Sequence, residues 1–386
     1  MNRSLLRLLL VVLVFLAVPV AQAVDGERDI TLQGQYWIDA EGQATIAQAA
    51  TAARWQPMER HRPITLGPGA LWMRFDLPAR NAAHRWHLLV SGSPFIDRAH
   101  LYTREADGSW REQRAGDYLP VAQWQIPHSS PLFAVDAGAT TVWLQLQNRP
   151  APTSPFVQLV SADTLQERTQ WTYLLVGGYL GFGLLVVVVG LMHARLYRDR
   201  VFHVYCFYVA CMLMFQLAFT GLGGVLLWPN WATFNDAAPP LFMFPMAASG
   251  IWLVSAATAL QRHSRQVDAV ARAFVGAGFV LAVVYPLARA GWAYTLLNVY
   301  GLLSVFLSIG LCAWTWRKGE RYSGWLLLGF LPVHLGYPFP ALRAAGVLPD
   351  SWATQYAVLI GSAIEIPLLL WMLPWRAKDL SENKVP

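Results

Sequence analysis

The run IGSAIEIPLLLWMLPWRAKDL, residues 360–380, decides how this chain is read. It is apolar over enough residues to cross a bilayer, yet it carries one carboxylate, Glu365, and ends in a basic cluster. A hydrocarbon core about 30 Å thick takes about 20 apolar residues at 1.5 Å per residue. Counting outward from this run, the sequence predicts seven spans, at about 171–193, 201–227, 239–260, 271–288, 294–316, 323–341 and 353–375. The segments facing one side (194–200, 261–272, 317–322 and the tail) hold 12 Lys and Arg. Those facing the other hold only Arg289 and Arg343. Positive charge marks the cytoplasmic side, so the C-terminus is expected inside and the N-terminal part outside.

Composition agrees. Mean hydropathy is +0.35, with 55% hydrophobic and 13% charged residues, more apolar surface than one water-facing core can hide. The excess lies in the second half. Residues 24–170 hold 13 Arg, no Lys and 15 acidic residues, a soluble composition with no surplus charge for nucleic acid despite the overall charge of +6. The start, MNRSLLRLLLVVLVFLAVPVAQA, has basic residues, a short apolar core and a small-x-small site, and reads as a signal peptide over 1–23. The three cysteines, Cys206, Cys211 and Cys312, all fall in apolar runs, so neither a disulfide in the exported part nor a metal site is expected, and no cofactor.

Short alternating runs fill the exported part: LWMRFDL (71–77), RWHLLVS (85–91), RAHLYTRE (98–105) and TVWLQLQN (141–148). Around eight strands are expected, plus one short helix over 39–52. The predicted fold class is mixed: an N-terminal all-β jelly roll or sandwich, then an all-α seven-helix transmembrane bundle. The expected boundaries are 1–23 (signal peptide), 24–167 (periplasmic domain), 168–376 (bundle) and 377–386 (cytoplasmic tail).

Two sets of residues carry candidate chemistry. Alternation puts Trp72, Arg74 and Asp76 on one face of their strand, and Trp143, Gln145 and Gln147 on one face of theirs. Indole beside Arg, Asp and Gln suits stacking on a sugar ring or flat ligand with hydrogen bonds around it, and Trp124 is placed in the same platform. The alternative is that each Trp lies under a loop or packs on a neighbouring sheet. Within the bundle, a charge at mid-bilayer costs about 2.5–3.5 kcal/mol, so Glu365 must be protonated, paired or turned inward. His334, Gln216 and Asn298 are its expected partners in a relay, and Pro332, Pro338, Pro340, Pro367 and Pro374 are expected to kink the two last spans. The bland alternative is interhelical glue.

Other seven-helix functions fare worse. A retinal pigment needs a lysine mid-helix, and Lys318, Lys378 and Lys384 all lie at the inner side. A membrane serine protease has only the partial signature of Ser249 in AASG with His334 on a later span, and a proton-coupled transporter wants more buried charge than Glu365 alone.

ITLGPGALWMRFDLP (64–78) with WHLLVSGSPFIDRAHLYTREADG (86–108), and IGSAIEIPLLLWMLPWRAKDL itself, resemble the bacterial 7TM receptors with diverse intracellular signalling modules. The first two stretches are similar to that family's extracellular sensor of the DISMED2 type, the third to its last span. The resemblance implies periplasmic sensing of a small molecule or carbohydrate-type ligand and transmission through the bundle; family members usually continue into a histidine kinase or diguanylate cyclase, whereas this chain is expected to be non-enzymatic. It departs from the family at GDYLPVAQWQIP, where Gln123, Trp124 and Gln125 stand in place of the Arg often found there. Only RAKDLSENKVP follows the seventh span, so output is expected to pass to a separate cytoplasmic partner of the kinase or diguanylate cyclase type.

Overall fold

The computed structural model of the protein describes residues 26–52, 54–59, 61, 63–78, 85–91, 95–149, 151–288 and 291–382. The stretch expected to be a signal peptide, Arg289 and Lys384 lie outside the described residues. Alternating side chains build the outer domain from β1 (Glu27–Asp29), β2 (Gln35–Asp39), β3 (Gln56–Pro57), β4 (Ala70–Asp76), β5 (Trp86–Val90), β6 (Arg98–Arg104), β7 (Trp110–Ala115), β8 (Leu132–Val135), β9 (Thr141–Gln147) and β10 (Val157–Ser161). These form a four-stranded sheet, β1-β10-β5-β8, and a six-stranded sheet, β3-β2-β4-β9-β6-β7, antiparallel throughout. From β4 onward the chain crosses repeatedly between sheets, which is jelly-roll topology, with β2 and β3 widening one sheet. The strands β1 and β3, of three and two residues, are too short to show alternation in sequence.

The core lies between the sheets. Leu71, Met73 and Phe75 of β4, Leu144 and Leu146 of β9, and Leu88 and Val90 of β5 are buried there, each contributing about 1.5–3 kcal/mol. The expected helix over 39–52 is shorter: α1 spans Ile46–Thr51. Before it, the Asp39 carboxylate accepts from the backbone N–H groups of Glu41 and Ala44 and fixes a turn. Thr45 then starts the helix with a capping box to Gln48.

Strand β10 runs straight into α2 (Ala162–Tyr197), so the helix begins well before Trp171. Ser161 ends the strand and caps the helix, its hydroxyl accepting from Thr164 N–H. Arg168 ties the first turns of α2 back to Glu27 (3.0 Å) and Gln158 (2.9 Å). At about 54 Å, α2 is far longer than a hydrocarbon core is thick. There follow α3 (Val201–Phe219), α4 (Leu222–Leu226), α5 (Ala232–Ala257), α6 (Leu260–His263), α7 (Arg265–Ala288), α8 (Gly291–Arg317), α9 (Arg321–Gly336), α10 (Phe339–Ala344), α11 (Trp352–Gln355) and α12 (Ala357–Glu382). Seven membrane-length apolar segments are present among the described residues: α2, α3, α5, α7, α8, the broken pair α9–α10, and α12. Other span ends also differ from expectation. Gly221, at φ 75°, turns the chain after α3, so that span stops near Phe219 and the next starts at Ala232. Of the expected kink prolines, Pro332, Pro367 and Pro374 lie inside helices, whereas Pro338 and Pro340 sit at the start of α10. Tyr205, Val209, Ile251, Leu326 and Ile366 fill the interior, while Leu184, Val280 and Phe306 point outward as lipid-facing side chains do.

Candidate functional site

Register across the six-stranded sheet places the expected ligand residues side by side. On its outer face one row reads Gln35, Arg74, Trp143, Tyr102, Glu112 and the next Trp37, Trp72, Gln145, His100, Arg114. Trp72 is fully buried, because Ile46, Ala49 and Ala50 of α1 pack over it, and it stacks on Tyr102 at 5.6 Å. Trp143 is 9% exposed and meets Trp110 edge-on at 5.0 Å, with the Arg74 guanidinium 6.0 Å from its ring centroid. Asp76 accepts from Thr141 at 2.9 Å, Gln145 is half-buried, and Gln147 donates to the Gly42 carbonyl. Trp124 does not join this platform. It faces the opposite way, into the core between the sheets, and its indole N–H donates to the Leu119 carbonyl. Tyr102 and Trp110, which sequence reading passed over, complete the face; their signal was the same alternation, on β6 and β7.

The outer domain is seated on the bundle through polar contacts. Asn235 of α5 donates to the Asp117 carboxylate at 2.5 Å and accepts from Trp228 Nε1 at 2.9 Å. Next to them, Ala122 N–H donates to the Pro229 carbonyl. Asp117 is buried at this seam, and its pKa is pushed well above the ordinary carboxylate value by burial first, then by Asp236 and Asp97, with the Asn235 bond opposing. On the far side of the seam Ser91 donates to Asp350 at 2.9 Å, and Asp350 also holds Arg343 at 2.6 Å. Arg343, one of two basic residues expected outside, is thus buried and paired.

The Gly-Ser-x-x-Glu run of α12 acts as one unit. A Cβ on Gly361 would lie 2.5 Å from the Pro332 carbonyl oxygen, so glycine lets α12 touch α9 backbone to backbone. Ser362 donates to Tyr179 of α2 at 3.0 Å. Glu365, fully buried, accepts from the Tyr208 hydroxyl of α3 at 2.5 Å. Tyr205, one turn earlier on α3, donates to the Ile366 carbonyl at 2.6 Å. The second oxygen of Glu365 has no hydrogen-bond partner among the described residues.

The expected relay partners are placed differently. His334 bonds Ser308 at 3.1 Å and shares with Tyr208 a cavity of about 60 Å³, also lined by Ser304 and Tyr337. It therefore reaches the Glu365 neighbourhood through Tyr208 rather than directly. Gln216 is buried on α3, two turns from Tyr208, with its amide nitrogen unpartnered among the described residues. Asn298 is exposed and donates to the Tyr294 carbonyl of its own helix. Ser249 likewise donates to Met246 of its own helix, and His334 is engaged with Ser308, so no Ser–His pair of the protease kind forms. Sequence reading missed Tyr208, Tyr179 and Tyr205, whose only signal was three hydroxyls inside apolar helices.

At the inner end, Arg376 of α12 is bonded to Asp199 at 2.5 Å and donates to the Ala257 and Ala256 carbonyls closing α5. The last helix is therefore held by polar contacts at mid-depth and at its exit, while its entry follows the loop that Ser91 grips through Asp350.

Comparison with known proteins agrees with this architecture. The family model described as "7TM diverse intracellular signalling" matches residues 172–376, and the one described as "7TMR-DISM extracellular 2" matches residues 31–161. No curated protein matches the chain. The two matches fall on the bundle and the jelly roll respectively, and the chain belongs to the seven-transmembrane receptors with diverse intracellular signalling modules, multi-pass membrane proteins of the sensor and signalling type with an extracellular N-terminal domain.

Proposed function

We propose that the protein is a non-enzymatic inner-membrane receptor with its jelly roll in the periplasm and its C-terminus in the cytoplasm. The jelly roll binds a small molecule or carbohydrate-type ligand on the face of Arg74, Tyr102, Trp110 and Trp143. Binding alters how the domain sits on the outer loops, and α12 carries the change inward. A separate cytoplasmic signalling protein, of the kinase or diguanylate cyclase type, reads the position of α12 beside the basic inner loops. The observation that carries this reading is the buried Glu365–Tyr208 bond, which joins the last helix to α3 where hydrocarbon would otherwise surround a carboxylate. A ligand shifts such a packing equilibrium only by its differential affinity for the two arrangements.

The test uses full-length receptor in nanodiscs, screened by thermal shift against neutral and acidic oligosaccharides and small metabolites, with fluorescent labels at the inner ends of α3 and α12. A bound probe is expected to change the label distance in wild type and to leave it unchanged in Glu365→Leu. Binding with no distance change in wild type would reject transmission through α12.

A further inference from the structure

The outer face of the six-stranded sheet has an excess of hydrogen-bond donors. Its carboxylates are already engaged within the domain. Glu112 takes the Tyr102 hydroxyl at 2.8 Å, the His100 ring at 2.9 Å and Arg114 at 2.5 Å. Asp76 takes Thr141 and, at a long 3.5 Å, Arg74, and Asp39 is spent on its own turn. The donors are not matched. The indole N–H groups of Trp55, Trp72 and Trp143 and the Nε of Arg74 are buried with no acceptor among the described residues. Each such group forgoes its bond to water, a cost that folded proteins rarely leave standing.

Two of these orphans are neighbours. Arg74 and Trp143 are direct partners in the β4–β9 register, and the guanidinium lies over the indole ring. Trp72 stays beneath α1, but the Arg74–Trp143 pair borders the half-buried Tyr102 and Trp110, and Arg104 sits 5.6 Å over the Trp110 ring. Four guanidiniums, of Arg74, Arg98, Arg104 and Arg114, project from this face against three engaged acids, Asp39, Asp76 and Glu112, the last already bonded to Arg114. Each hydroxyl of a neutral polyol can accept here but also brings an O–H donor of its own, and the carboxylates that would take it are already engaged. An oxyanion brings acceptors only.

We propose that this face takes an anionic ligand, an acidic saccharide or small organic acid, with its carboxylate at Arg74 and Trp143 and its apolar side against Trp110. This rests on the reading of the face as the receptor's ligand site and narrows it to one charge class. Arg74 supplies the planar fork that grips a carboxylate, Trp143 adds a neutral donor, and the surrounding guanidiniums draw the anion in.

The experiment is calorimetric titration of full-length receptor in nanodiscs with three probes: trigalacturonic acid, neutral galactotriose and free succinate. Trigalacturonic acid or succinate is expected to bind at least about tenfold more tightly than galactotriose, a difference of about 1.4 kcal/mol. That binding should weaken with added salt and fall about tenfold in Arg74→Gln and in Trp143→Phe, which keeps the ring but loses the donor. Stronger binding of succinate than of the trisaccharide identifies the free acid as the source; the reverse identifies the saccharide. Equal or preferential binding of galactotriose, lost in Trp110→Ala, overturns the anionic class while leaving the ligand face intact. No binding of either acid, or acid binding indifferent to both Arg74→Gln and Trp143→Phe, overturns the proposal outright.

Discussion

Glu365 and Tyr208 show how one side chain sets the character of a helix. Glu365→Gln keeps an acceptor for the Tyr208 hydroxyl, whereas Glu365→Leu strands that hydroxyl in the core. Thermal unfolding in detergent is expected to show Gln close to wild type and Leu less stable by about 1–3 kcal/mol. At the outer seam Asp117 makes a pH prediction. Its pKa is raised in the seated state, so the seating is at full strength in acid and is lost as pH rises through that raised value. Asp97, which accepts from Arg149 N–H, and Asp236 face it, and Asn235 is its hydrogen-bond partner. Amide exchange over residues 117–124, corrected for intrinsic rates, should quicken with rising pH in wild type and stay flat in Asp117→Asn. At this scale the sequence was readable only in part. Glu365 stood out because a carboxylate in an apolar run is costly wherever it lands. Tyr208 did not, because tyrosine is common in such runs and its hydroxyl gains meaning only from what faces it. Trp124 misled, since a Trp flanked by glutamines looks exposed although its indole is turned into the core.

Elements were read more surely than residues. Alternation located β4, β5, β6 and β9, because each has one face on the core, and it failed for β1 and β3, which are too short to alternate. The short helix shrank to α1 because Asp39 spends its carboxylate on a turn that the helical pattern overlooks. Between α9 and α12 the close approach depends on Gly361. Replacing it by Val drives a side chain into the Pro332 carbonyl, and the expected destabilisation is about 1–3 kcal/mol, measured by unfolding in nanodiscs. Gly310, with nothing within 4 Å of its absent Cβ, is the control: Gly310→Ala should be neutral or slightly stabilising.

The whole molecule joins a jelly roll to a bundle with little slack. Ser161 is both the end of β10 and the cap of α2, and Arg168 braces the junction, so motion of the domain has a stiff route to the first span. The seam contacts Asn235–Asp117 and Ser91–Asp350 lie far along the chain from each other, and no local pattern forecast them. They arise only once the seven spans are closed into a bundle. The proposed receptor function requires that the outer seam and the exit of α12 be coupled through the Glu365 node. The direct measurement is amide hydrogen exchange over residues 370–376 in nanodisc-embedded receptor carrying Ser91→Ala and Asn235→Ala, which loosen the seam from the outer side. Exchange there is expected to rise by about tenfold, equivalent to about 1.4 kcal/mol of local stability, and adding Glu365→Leu is expected to remove the response. Exchange changes confined to the outer loops, with 370–376 unaltered, would contradict this coupling.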